Sequence, residues 1–182
     1  MNETTRPEIA ALGSSTLCEA FQITAAQRPG QVALRTLGGA TEITYAEFLA
    51  KVRALAEGLH SLGVGRGDTV ALMLTNRPEF SLADTAVMHL GATAFSVYNT
   101  SSAEQANHVF RNAGNRIVVT ERQFLPRVLE SRTPEIEHIV LVDGADTGTI
   151  SLQDLACRGV PGFNFDTAWR AIQADGVVTL IY

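Results

Sequence analysis

The sequence predicts an α/β protein: a layered, largely parallel sheet with flanking helices. Short apolar runs recur at residues 69–74, 138–142 and 177–181, the pattern of strands buried on both faces, and residues 92–98 read as a further strand. Between them lie segments that open on a capping residue and close on a glycine, as helices do. The connections are short, so strands and helices alternate along one layered unit.

Taken in order, residues 1–14 read as a flexible lead-in and 15–182 as the domain. Thr16 and Glu19 have capping-box spacing: a hydroxyl for the first free amides and a carboxylate that reaches back. A helix is expected from there to Gln27, stopped by Pro29-Gly30. Residues 32–37 and 41–43 read as two strands of a hairpin turning at Gly38-Gly39. Thr44 and Glu47 form a second capping box. In the helix that Tyr45 opens, Phe48, Val52, Leu55, Leu59 and Leu62 recur on one face. Gly63 is placed to end it left-handed. After strand 69–74, Asn76 is expected to cap a helix with Pro78 in its first turn, ending at Gly91. Strand 92–98 follows. Ser101 with Glu104, or Ser102 with Gln105, caps a helix that runs to Ala113. Then come strand 116–120, a short helix at 123–130, strand 138–142, a Gly/Asp turn and a short helix at 151–157. Residues 159–165 read as a loop that Trp169, Phe163 and Phe165 pack against the sheet, and 177–181 as a last buried strand.

The composition is that of one globular domain or one large piece of a bigger one: 182 residues, 46% hydrophobic and 18% charged. A net charge of -5 with no basic run argues against a nucleic-acid partner. Cys18 and Cys157 lack metal or redox spacing and read as reduced thiols. No stretch is long and apolar enough to span a membrane, and the polar N-terminus does not read as a secretory leader, so a cytoplasmic chain is expected. The glycines of residues 63–68 fail dinucleotide-loop spacing and precede a strand, so they read as a turn. His60, His89, His108 and His138 lie on four different elements and read as structural or surface residues.

From Thr44 onward the order of residues becomes specific. Thr44-Tyr45 with Glu47, then Gly67-Asp68, Asn76 with Pro78-Glu79, and Gly91-Ala92 resemble the N-terminal subdomain of the adenylate-forming superfamily, which includes acyl-CoA synthetases. Tyr98-Asn99-Thr100-Ser101-Ser102 with Glu104-Gln105 is most similar to bacterial long-chain fatty-acid–CoA ligases. The run from Asp175 to Tyr182 resembles the strand that enters the family's phosphate loop. The resemblance covers residues 16–182. One departure is the strand after Gly91-Ala92, where the family often has a proline and this chain has none.

The resemblance implies a ligase that makes an acyl-adenylate from ATP and fatty acid and then an acyl-CoA, using ATP, magnesium and CoA. The groups that would hold these, the phosphate loop, a glutamate for magnesium and a C-terminal lysine, correspond to positions after Tyr182. No catalytic, cofactor-binding or metal residue is therefore assigned. The chain reads as a partial domain, inactive alone and binding none of these groups tightly. The motif residues named above, with Tyr182, are expected to serve structure or an interface. Tyr98–Ser102 reads first as a strand end and helix cap, and second as a wall of a substrate or subunit contact. The expected partners are a second copy or a second chain carrying the rest of the enzyme, with peripheral membrane association left open by the family. A non-catalytic interaction module or half of a split ligase is the alternative function. An unrelated nucleotide-binding α/β protein is disfavoured by the missing glycine fingerprint.

Overall fold

The computed structural model describes residues 10–182. Six strands form one parallel sheet, and two more form a separate antiparallel hairpin. In chain order the elements are α1 (Leu17–Gln27), β1 (Val32–Arg35), β2 (Glu42–Thr44), α2 (Tyr45–Ser61), β3 (Thr69–Met73), α3 (Pro78–His89), β4 (Thr93–Ser96), α4 (Ala103–Ala113), β5 (Ile117–Thr120), α5 (Leu125–Glu130), β6 (His138–Leu141), β7 (Ile150–Ser151), α6 (Leu152–Ala156), α7 (Phe165–Arg170) and β8 (Thr179–Leu180). Of the expected lead-in, Ala10–Gly13 wind a 3-10 turn, and residues 1–9 lie outside the described residues.

The sheet order is β7-β6-β5-β3-β4-β8, with every neighbouring pair parallel. Along β3, Val70 and Leu72 join one core and Ala71 and Met73 the other, which is why the run has no polar alternation. The first core is closed by α2, α3, α6 and α7, the second by α4 and α5. Connections from β3 and β5 thus leave on opposite faces. The carboxyl ends of these adjacent strands form the switch point of a doubly wound sheet.

Most helix starts follow the local chemistry. Thr44 and Glu47 make the full reciprocal box on α2, with the Thr44 N–H donating to the Glu47 carboxylate at 2.8 Å. Of the two boxes available to α4, the chain uses Ser102 with Gln105. At α1 the Thr16 hydroxyl accepts from the Glu19 N–H, but the Glu19 carboxylate reaches the N–H of Ser15 instead of Thr16. Gly38 and Gly39 both adopt the positive φ that the hairpin turn requires.

Four expectations are corrected. Asn76 does not cap α3: Pro78 takes the first helical position, so the cap falls on Arg77, which makes no side-chain capping bond. Within the expected loop and beyond it, Phe165–Arg170 is helical, started by the Asn164 side-chain Oδ1 accepting from the Thr167 N–H. Two-residue β7, parallel to β6, was not expected. The last strand is shorter than the apolar run and is not buried: β8 is an edge strand, with Val177 63% and Ile181 91% exposed.

Candidate functional site

The carboxyl edge of a parallel sheet is where loops converge on a ligand in doubly wound folds. Two groups of side chains gather there. The first follows β4 and β8. Tyr98, Thr100 and Ser101 leave the end of β4, and Glu104, Gln105 and His108 lie along α4. Tyr182 closes the other side. Together they line a groove of about 860 Å³. The β8 register, Ala94 opposite Thr179 and Phe95 opposite Leu180, brings Tyr182 there. Its ring meets Phe95 edge-on at 5.6 Å, and its hydroxyl donates to the Asn112 side-chain oxygen at 2.9 Å. Tyr98 is exposed and the Asn99 carbonyl accepts from Arg127.

The second group stands at the switch point between β3 and β5. Glu121 follows β5 with its side chain 6% exposed. One of its oxygens accepts from the Thr75 backbone N–H at 2.6 Å and the Thr75 hydroxyl at 2.7 Å. The other accepts from Gln123 at 2.8 Å and pairs with Arg77 at 3.3 Å. Arg77 also donates to Glu79 at 2.8 Å. Burial pushes the Glu121 carboxyl up, but the Thr75, Gln123 and Arg77 contacts outweigh it and hold the pKa below the usual value. Arg77 and Glu79 border a second cleft of about 540 Å³ with Thr36, Lys51 and Thr75. Glu121, Thr75 and Gln123 were not singled out from the sequence. The contact between Glu121 and Arg77 joins residues on different strand ends, which no short-range spacing encodes.

The expected motif residues fall into separate places. Thr44, Tyr45 and Glu47 start α2. Gly67, Asp68 and Gly91 tie loops at the amino edge, far from the strand exits: the Gly67 N–H donates to the Gly91 carbonyl at 3.1 Å, and the Asp68 carboxylate accepts from the Gly65 N–H at 2.8 Å. Asn76, Pro78 and Glu79 leave β3. Residues 98–102, Glu104, Gln105 and Tyr182 meet at the β4–β8 groove. Thus the last two sets lie on the edge that can face a substrate, and of the α2 set Glu47 reaches it too, lining the cleft with Arg77 and Glu79.

Among the described residues no group of three His, Cys, Asp or Glu side chains converges as a metal site. Among the described residues the glycines that follow a strand exit at this edge, Gly144 and Gly148 after β6, share their turn with Asp143 and Asp146, whose charges oppose a phosphate. No step through ATP or magnesium is assigned to these residues. Among the described residues no helix is long and apolar enough to cross a membrane.

A model of the family described as AMP-binding enzyme matches residues 21–182. An uncharacterized protein of Mycobacterium tuberculosis is 55% identical over 131 residues, which are 72% of this chain and 74% of that protein. A long-chain-fatty-acid–CoA ligase of the same species is 28% identical over 145 residues, covering 78% of this chain but 24% of the ligase. The solved O-succinylbenzoate Coenzyme A synthetase of Bacillus subtilis, in complex with AMP, superposes with a TM-score of 0.65 and 26% identity over 89% of this chain and 38% of that one. The chain therefore spans most of the uncharacterized relative and about a quarter of the ligase.

Proposed function

The chain belongs to the AMP-binding enzyme family, and from that premise we propose that it is the N-terminal part of a long-chain fatty-acid–CoA ligase. Such an enzyme joins ATP and a fatty acid into an acyl-adenylate and passes the acyl group to CoA. The reading is carried by the register of β8 on β4. That pairing sets Tyr182, at the end of the stretch resembling the strand before the phosphate loop, beside the Tyr98–Gln105 stretch that resembles long-chain ligases. In this reading the chain supplies one wall of the site, and the groups that hold ATP, magnesium and CoA come from the portion of the module after residue 182. The 182 residues alone are inactive.

The test is acyl-adenylate formation by the chain joined to a polypeptide that supplies the rest of the module, across a panel of acids. Long-chain fatty acids are expected to be the preferred substrates. Preference for an aromatic acid would overturn the long-chain assignment, and turnover by the 182 residues alone would overturn the incompleteness.

A second reading is one half of a split ligase, or an interaction module. It is favoured by the Mycobacterium tuberculosis relative: 131 residues being 74% of it, that protein is itself a short chain of about 177 residues. The exposed Val177, Val178 and Ile181 around β8 then serve to dock a second chain or a second copy. Sedimentation of the chain with and without the completing polypeptide separates the readings. A complex or dimer supports docking, and a monomer that ignores the added polypeptide opposes it.

A further inference from the structure

The amino edge of the sheet, opposite the strand exits, holds a pocket that the ligase reading does not use. It has a volume of about 410 Å³ and lies between α1 with its preceding 3-10 turn, the loops before β3 and β4, and the segment entering β8. That volume is within the range of small-molecule sites. Its walls are mostly aliphatic and sulfur-bearing: Leu12, Leu17, Met88, Ile172, Val177 and Val178. Four of these, Leu12, Leu17, Val177 and Val178, are among the exposed large apolar side chains of the chain. Exposed apolar groups scattered singly call for no explanation, but gathered around one concavity they mark a binding surface.

One charge belongs to this lining. Arg66 is the only ionisable base or acid of the Lys, Arg, Asp or Glu type along it. The Arg66 stem lies against Gly91, whose missing side chain leaves room between Arg66 and Ile172: a Cβ there would meet Arg66 carbons at 3.5 Å and Ile172 at 3.6 Å. Among the described residues the guanidinium makes no ion pair; the six that exist use Arg35, Arg53, Arg77, Arg116 and Arg122. A guanidinium is weakly hydrated and presents a planar fork suited to an anionic head. An apolar chamber with a single cation on its wall is complementary to a ligand of the opposite design.

We infer that this pocket binds a small amphipathic anion, with its aliphatic tail among Leu17, Met88 and Ile172 and its single anionic head on Arg66. The site stands apart from the carboxyl edge; because a docked second chain would cover Val177 and Val178, it is a site of the chain alone.

The probe is decanoate at concentrations below its self-association, titrated into the chain by calorimetry, with decylamine as the tail of opposite charge. Saturable one-to-one binding of decanoate is expected, with decylamine weaker. Arg66→Ala is expected to weaken decanoate by about tenfold, the loss of one charge-assisted contact. Arg66→Glu is expected to invert the preference toward decylamine, a result that general unfolding does not produce. Ala20→Phe, on the α1 wall, is expected to weaken both probes by filling the chamber. Equal affinity of the wild type and Arg66→Ala for decanoate would overturn the proposal, as would the absence of saturation. Binding untouched by Ala20→Phe would place the probe elsewhere and overturn it as well.

Discussion

His89 carries more structure than its sequence position suggests. It is fully buried on α3, stacks on Phe165 at 5.3 Å and meets Phe21 edge-on at 5.4 Å. Its Nδ1 is 2.7 Å from the Thr85 carbonyl and its Nε2 3.0 Å from the Gln22 amide, so one ring links α1, α3 and α7. Burial pushes its pKa down from 6.5 to about 4, against the opposing Thr85 contact. The unfolded chain accepts the proton at the higher pH. The stabilisation is therefore complete above pH 6.5 and is lost as pH falls from 6.5 to about 4, amounting to about 3 kcal/mol. Asp84 works the other way, since burial raises its carboxyl pKa and favours the protonated folded form. Urea unfolding of the wild type against His89→Phe isolates the histidine, and the pH dependence in that window is expected to flatten in the variant; parallel curves would contradict it. At the switch point, Glu121→Ala leaves the Thr75 amide without its acceptor and Arg77 with one carboxylate partner. A loss of about 2 kcal/mol is expected by the same unfolding measurement. A change below a few tenths would show that the pairing with Thr75 and Arg77 is replaced by water.

At the scale of elements, α2 is the spine on which the others rest, and Gly58 is its narrowest point. A Cβ at Gly58 would overlap the Leu155 carbonyl oxygen on α6. No rotamer can relieve a clash with backbone, so Gly58→Ala must displace α6. A cost of about 1–3 kcal/mol is expected, despite alanine's better helix propensity. Unfolding curves check it: a stabilised variant would mean that α6 is not held against α2. Elements whose signals are local were legible in advance. The capping pairs Thr44–Glu47 and Ser102–Gln105 and the apolar face of α2 are spacings within one turn or one helix. The misreadings arose where two local signals competed or a contact was remote. Asn76 is a good cap, but Pro78 fixed the helix start one residue later. The six residues of α7 follow a stretch rich in Gly and Pro, and the Asn164–Thr167 cap was the signal available. The aromatic and ionic contacts that hold α7, Phe165 under Arg53 at 4.7 Å and Asp166 paired with Arg53 at 3.3 Å, span more than a hundred residues and leave no periodicity.

At the scale of the whole molecule, the doubly wound sheet gives two edges with different contents. The carboxyl edge gathers the β4–β8 groove and the Glu121–Arg77 pair, and the amino edge holds the Arg66 pocket. The parallel sheet was legible because strands buried on both faces are apolar throughout. The exposure of β8 was not, because an edge strand that meets a further layer has the same composition as a central one. Its apolar residues stand in a chain that covers 24% of the matched ligase and 38% of the matched synthetase. The function proposed above has this chain supply one wall of a fatty-acid-activating site, with the reacting groups on another part of the module. The most direct measurement is palmitate-dependent exchange of pyrophosphate into ATP, with the chain, a separate polypeptide carrying the phosphate loop and the rest of the module, and the two combined. No exchange is expected from this chain alone, and exchange is expected when the two are combined. Exchange by the chain alone, or by the completing polypeptide at an equal rate without it, would mean that this chain is not one wall of the site.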